Sequence, residues 1–125
     1  LLVSYDEGSE YTELVQKLLK TESEYLRNKA DKYAEKLIQE FPDIRKVLLY
    51  GSVARNEAGL NSDIDLLILG DVSEKEIREH AHNNSREVTI SPIVESTEEF
   101  EQNLEEGKEF EKQVKQDCIT LYSED

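Results

Sequence analysis

Two short apolar runs, Val47-Leu48-Leu49-Tyr50 and Leu66-Leu67-Ile68-Leu69, each stop at a glycine, Gly51 and Gly70. Neither shows helical periodicity, and each is short enough to read as a buried strand. The surroundings follow a different period. Over residues 10–20, Tyr11, Leu14, Val15, Leu18 and Leu19 recur at helical spacing, with Ser9 as the N-cap. Thr21 or Ser23 restarts a second helix whose stripe is Tyr25, Leu26, Ala30, Tyr33, Ala34, Leu37 and Ile38. Phe41-Pro42-Asp43 ends it, because the residue before proline avoids the helical region. A turn or two of helix follows Ser52, and Ser73 opens a charged helix to about Ala81. Val88, Ile90 and Val94 mark a third strand. Ser96 or Thr97 caps a helix over 98–106, with Glu99 giving a capping box from Ser96; Gly107 interrupts it, and 118–122 form a last strand. Strands separated by helices predict an α/β fold, a small mixed sheet of about four strands flanked by helices. Residues 1–42 read as an N-terminal helical segment and 43–125 as the sheet-bearing domain.

A chain of 125 residues is long enough for one hydrophobic core. No apolar run reaches the roughly 18 residues that span a bilayer, and LLVSYDEG lacks the pattern of a signal peptide. A cytoplasmic protein without membrane attachment is expected. The net charge of −14 repels phosphate backbones, so no direct nucleic-acid binding is expected of this acidic domain. A nucleotide is still compatible, since bound divalent cations invert the local sign. Cys118 is the only cysteine; it allows no disulfide or cysteine zinc cluster within one chain and reads as core. The sequence begins at Leu1 and contains no methionine, as expected of a fragment or a processed form.

The chemistry lies between Leu48 and Leu69, in LLYGSVARNEAGLNSDIDLLIL. Gly51 permits a sharp turn and close approach of a ligand to backbone. Ser52 then stands at the start of the expected helix, where free N–H groups favour an anion, with Arg55 adding charge nearby. Asp63 and Asp65 are two apart on a strand, so both carboxylates leave the same face while Ile64 and Leu66 take the other. Two carboxylates on the rim of a core repel each other and resist desolvation. A hard divalent cation such as magnesium relieves that conflict.

Gly51-Ser52, ten residues, then Asp63-Ile64-Asp65 resembles the GSx10DxD motif of the DNA polymerase β-like nucleotidyltransferase superfamily, and most of all its minimal nucleotidyltransferases. Ala54-Arg55, Asn61-Ser62 and Leu66-Leu67 fit the same pattern, while Asn56-Glu57 replaces a glycine-containing pair. The resemblance implies that Gly51, Ser52, Arg55 and Ser62 bind the phosphates of a nucleoside triphosphate such as ATP. It implies that Asp63 and Asp65 hold magnesium as catalytic metal ligands, so that a nucleoside monophosphate passes to a hydroxyl acceptor on a protein, an RNA end or a small molecule. One such role is that of an antitoxin modifying a partner toxin.

Active members add a third carboxylate from a neighbouring strand. That degenerate position falls here at Ser91, or second at Thr89, and neither is a strong ligand or base. Glu87 and Glu95 have the right parity but lie four residues away, roughly 13 Å on a strand. Weak nucleotide binding, or one metal only, with low or absent transfer is the expectation. The tail from Ile90 to Val114 resembles nucleotidyltransferase domains fused behind a winged-helix DNA-binding domain, and the opening resembles their linker. That resemblance implies a different role, a non-catalytic nucleotide-sensing or dimerisation module of a transcriptional regulator. The helical stripes allow either packing on the sheet or a homodimer. His80 and His82 are wrongly spaced for a helical metal pair, and the acidic run from Glu95 to Glu111 reads as a solvated amphipathic helix.

Overall fold

The computed structural model describes residues 5–59 and 61–124, with side chains from Glu10 onwards. The first half of the opening octapeptide, on which the signal-peptide reading rests, lies outside the described residues. The elements run α1 (Tyr5–Glu40), β1 (Ile44–Tyr50), β2 (Ile64–Gly70), α2 (Glu74–Asn83), β3 (Ile90–Glu95), α3 (Thr97–Glu105), α4 (Glu109–Asp117) and β4 (Ile119–Ser123). The strands form one mixed sheet in the order β3-β2-β1-β4. β1 is antiparallel to β2 and to β4, while β2 and β3 are parallel and joined through α2. Among the described residues no helix is long and apolar enough to cross a membrane.

Sequence periodicity divides α1 in two, but the structure shows one helix of 36 residues, about 54 Å long. Ser9 therefore lies inside the helix rather than at its cap. Thr21 fails to restart a helix because its hydroxyl donates back to the Lys17 carbonyl at 3.0 Å. Ser23 is buried, and its Oγ accepts from the Ala58 N–H at 3.1 Å. From there Leu26, Ala30, Tyr33, Ala34 and Leu37 are buried at helical spacing in the main core. The N-terminal half continues past the sheet, leaving Tyr11, Leu14, Val15 and Leu18 exposed. Ser23→Ala would strand the buried Ala58 N–H, and we expect it to lower unfolding free energy by about 1–3 kcal/mol in urea titrations.

Strand alternation divides the core between the two faces of the sheet. Val47, Leu49, Ile64, Leu66, Ile68 and Ile90 pack with α1 and with Ile77 and Ala81 of α2. On the other face Leu48, Leu67 and Leu69 meet Val114 of α4, with Tyr50, Ile93, Phe100, Phe110 and the half-buried Cys118 around them. The caps follow the sequence: Ser73 Oγ accepts from Glu76 N–H and Ser96 Oγ from Glu99 N–H. Gly107 separates α3 from α4 at φ +76°.

Candidate active site

β1 is followed by Gly51, whose φ of +79° starts a turn at the end of the two central strands. The following residues are a succession of turns, not the helix that Ser52 suggests. Arg55 N–H reaches Gly51 O at 3.2 Å, Asn56 N–H reaches Val53 O at 3.3 Å and Glu57 N–H reaches Ser52 O at 2.9 Å. These mixed spacings, with Asn56 at φ +61°, prevent a regular helix. The Ser52 hydroxyl makes no hydrogen bond among the described residues, so it remains available to a ligand. The turns are held from behind by α1. Arg27 donates to Val53 O at 3.3 Å, Ala54 O at 3.0 Å and Asn56 Oδ1 at 2.6 Å.

Asp65 is the second residue of β2 and lies opposite Tyr50 in the ladder. A Cβ placed on Gly51 would fall 3.3 Å from Asp65 Cγ and inside contact distance of its carboxylate oxygen. Gly51 thus lets the carboxylate lie directly against the turn. Asp63 immediately precedes β2 and is exposed, one residue outside the strand that its alternation implied. Burial, reinforced by the Asp63 charge and opposed by Arg55, holds the Asp65 carboxyl above its ordinary pKa. The two carboxylates are therefore a repelling pair on a partly desolvated rim, and a hard cation with oxygen ligands fits that donor set.

Ser91 pairs with Asp65 across the parallel ladder, and its Oγ donates to Asp63 Oδ2 at 3.5 Å. The pairing of β2 with β3 runs without a shift from Ile64↔Ile90 to Leu69↔Glu95, so Pro92 introduces no bulge. Neither glutamate is brought to Ser91. Glu87 is ion-paired with Lys29, and Glu95 stands at the far end of β3. Among the described residues no three His, Cys, Asp or Glu side chains gather into a metal-binding group.

Arg55 reaches from the turns towards α4, with Nε 3.1 Å from Glu57 Oε2 and Nη1 3.5 Å from Asp117 Oδ2. Ser62 closes its own turn: its Oγ accepts from Gly59 N–H at 2.9 Å while its N–H donates to Gly59 O at 3.2 Å. It lines a groove of about 290 Å³ together with Asn61, Asp63 and Thr89. His80 serves the core instead of a metal. Its Nδ1 is 2.8 Å from Tyr33 Oη, Nε2 pairs with Glu40, and the ring packs edge-on to Phe41.

Two neighbours of the site were not legible as such. Tyr50, whose hydroxyl is pushed up to about 12 by burial, Asp65 and Glu95, stays a neutral donor beside the aspartate. Its signal in the sequence is its place as the last strand residue before Gly51. Arg27 carries no local signal, because its partners are 26 to 29 residues away.

A glycine turn against a paired-aspartate strand, on a mixed sheet backed by helices, defines a nucleotidyltransferase fold. The chain belongs to the nucleotidyltransferase domain family, whose model matches residues 30–124. No curated protein matches it in sequence. Among solved structures, a toxin–antitoxin crystallised with AMP-PNP aligns over 74% of this chain and 73% of its own, with a TM-score of 0.56 and 19% identity. A protein assigned as a nucleotidyltransferase from Sulfolobus solfataricus aligns over 85% and 88%, with a TM-score of 0.54 and 24% identity. A mutant of the toxin–antitoxin pair MntA–HpeT aligns over 74% and 73%, with a TM-score of 0.53 and 15% identity. At these identities the likeness is one of fold.

Proposed function

We propose that this domain binds a nucleoside triphosphate, ATP in the first instance, with magnesium, and passes its nucleoside monophosphate to a hydroxyl acceptor at a low rate. The observation that carries the reading is the meeting of Gly51 with the Asp65 carboxylate at the end of the central strands, beside Asp63. Asp63 and Asp65 would hold the metal, which when bound neutralises phosphate charge during in-line transfer. The Gly51-Ser52 turn offers backbone N–H groups and a free hydroxyl to the phosphates, and Arg55 adds a cation. Ser62 flanks the same rim, with part of its hydrogen-bonding capacity already used by Gly59. Tyr50 and Arg27 position the strand end and the turns. The AMP-PNP complex of a fold relative supports ATP as the nucleotide.

Ser91 sets the expected rate. It faces Asp65 where an acceptor hydroxyl would need a base, and a serine hydroxyl is a poor proton acceptor at neutral pH. The same observation favours a second reading, a module that binds nucleotide without turning it over and reports this through a regulatory partner. A protein acceptor, such as the toxin of a toxin–antitoxin pair, is compatible with the first reading.

Titration calorimetry of ATP with and without magnesium, on wild type and Asp65→Asn, tests the site. Magnesium-dependent binding, weakened at least about tenfold by the substitution, is expected; a loss of one charge–metal contact corresponds to 1.4 kcal/mol or more. Equal binding by both proteins would overturn the assignment. Fast magnesium-dependent transfer abolished by Asp63→Ala would overturn the low-rate part alone.

A further inference from the structure

Four cations of this acidic chain gather in one groove. Lys29, Lys32 and Lys36 recur along α1 at three- and four-residue spacing, so they leave the helix on one side. Arg86 faces them from the segment between α2 and β3, and the groove they line holds about 580 Å³ over a floor that includes Ile64 and Ile90. Glu87 is the one acidic residue in its lining, against four positive charges, in a chain whose net charge is −14. Lys29 is committed to Glu87, and Lys36 Nζ donates to Asn84 Oδ1 at 3.2 Å. Lys32 and Arg86 have no partner among the described residues. The negative end of α2, which points here, is closed: Asn84 and Ser85 donate to the carbonyls of His80, Ala81 and His82.

The groove adjoins the one that holds Asp63. Glu87 and Val88 line both it and the smaller groove that contains Asp63. In that smaller groove stands Tyr25, 50% exposed, with Lys29 Nζ 5.6 Å from its ring centroid. A cationic track that gives way to an exposed aromatic ring among Glu22, Asp63 and Glu87 suits the end of a single strand, with phosphates on the cations and the terminal base on the ring, where the phosphate backbone goes no further. The acidic faces of α3 and α4 cover the other side of the sheet. At physiological salt, charges are screened over about 8 Å, so the local patch outweighs the net charge.

We infer that this groove binds the phosphate backbone of a single-stranded nucleic acid and presents its terminal hydroxyl at Asp63, on the rim of the aspartate pair, as the acceptor. The acceptor role rests on the nucleotidyl-transfer reading; the binding does not. In the transfer, the terminal hydroxyl oxygen bonds to the α-phosphorus of the nucleoside triphosphate and the bond from that phosphorus to the bridging oxygen breaks. Pyrophosphate leaves, and the hydroxyl proton passes to water, since Ser91 is no base.

Fluorescence anisotropy with an end-labelled oligouridylate of about twelve nucleotides tests it, on wild type and on Lys32→Glu/Arg86→Glu. With three phosphates neutralised, affinity should fall roughly twentyfold between about 50 and 200 mM salt. The double variant should bind at least about tenfold more weakly at the lower salt, with unchanged melting and unchanged magnesium-ATP binding. A deoxyribose strand of matching sequence tells RNA from DNA. No binding by wild type at about 100 μM protein, or equal affinity in the double variant, would overturn the inference. So would binding of a polyglutamate peptide in place of the strand, which points to an acidic protein partner. Magnesium-ATP binding lost in Asp65→Asn beside absent strand binding would overturn this inference alone. Strand binding beside unaltered ATP binding in Asp65→Asn would overturn the transfer reading and the acceptor role, leaving the strand site.

Discussion

Gly51→Ala should cost the domain about 1–3 kcal/mol of stability and at least about a hundredfold in magnesium-ATP affinity. The stability loss has a backbone origin, because a left-handed φ costs an L-residue roughly 1–2 kcal/mol, and Gly51 sits at φ +79°. The functional loss has a different origin. The new methyl group would occupy space that the Asp65 carboxylate fills, with 3.3 Å left to Cγ. The side chain of an aspartate is too short to yield without swinging its carboxylate out of line with Asp63. Gly107 separates the two effects: it too has a left-handed φ, +76°, but a Cβ there meets nothing within 4 Å. Gly107→Ala should therefore lose comparable stability in urea titrations while calorimetry shows ATP bound as in wild type. Equal ATP affinity in the two variants would mean that the close approach of Gly51 to Asp65 has no part in nucleotide binding.

The fold was legible where burial repeats locally. Val47 to Tyr50 and Leu66 to Leu69 became neighbouring antiparallel strands, and Ser73 and Ser96 became caps, because each feature is decided by a few adjacent residues. The Gly51 turn and the place of Asp65 near the start of β2 were legible for the same reason, although Asp63 falls just before the strand. What failed depends on partners remote in sequence. Thr21 and Ser23 look like a helix start, yet a bond back to Lys17 and a buried contact with Ala58 keep α1 continuous. Ser52 looks like the head of a helix, yet Arg27 satisfies the carbonyls that would have continued it. The acidic run is solvated over most of its length, but Glu95 and Glu111 at its two ends are buried together, which no local pattern reveals. Net charge was the least informative quantity, since it averages over a basic groove and an acidic face.

That buried pair gives the second large effect. Glu95 is 9% exposed and Glu111 4% exposed, on β3 and α4 respectively, and their carboxyls interact directly. Asn103 of α3 donates to Glu111 Oε2 at 3.3 Å, while Glu95 Oε2 has no partner among the described residues. Glu99 and Tyr50 also face Glu95, and Lys108 supplies the nearest opposing charge. Two carboxylates cannot both ionise so close together in a poorly solvated site, so the pair keeps one proton. Burial and Glu111 raise Glu95 to about 7 from its ordinary 4.5. Between those values the folded state binds more protons than the unfolded chain, so stability falls as pH rises. That stabilisation is present below about pH 4.5 and is lost as pH rises through about 7. Glu95→Gln replaces the shared proton with an amide N–H that donates to Glu111 at any pH. Urea titrations from pH 5.5 to 8.5 should show wild type weakening relative to Glu95→Gln, with the gap widest above pH 7.5. Glu99→Gln, on the exposed rim of the same cluster, should leave most of that slope in place. Parallel curves for wild type and Glu95→Gln would mean that the pair shares no proton.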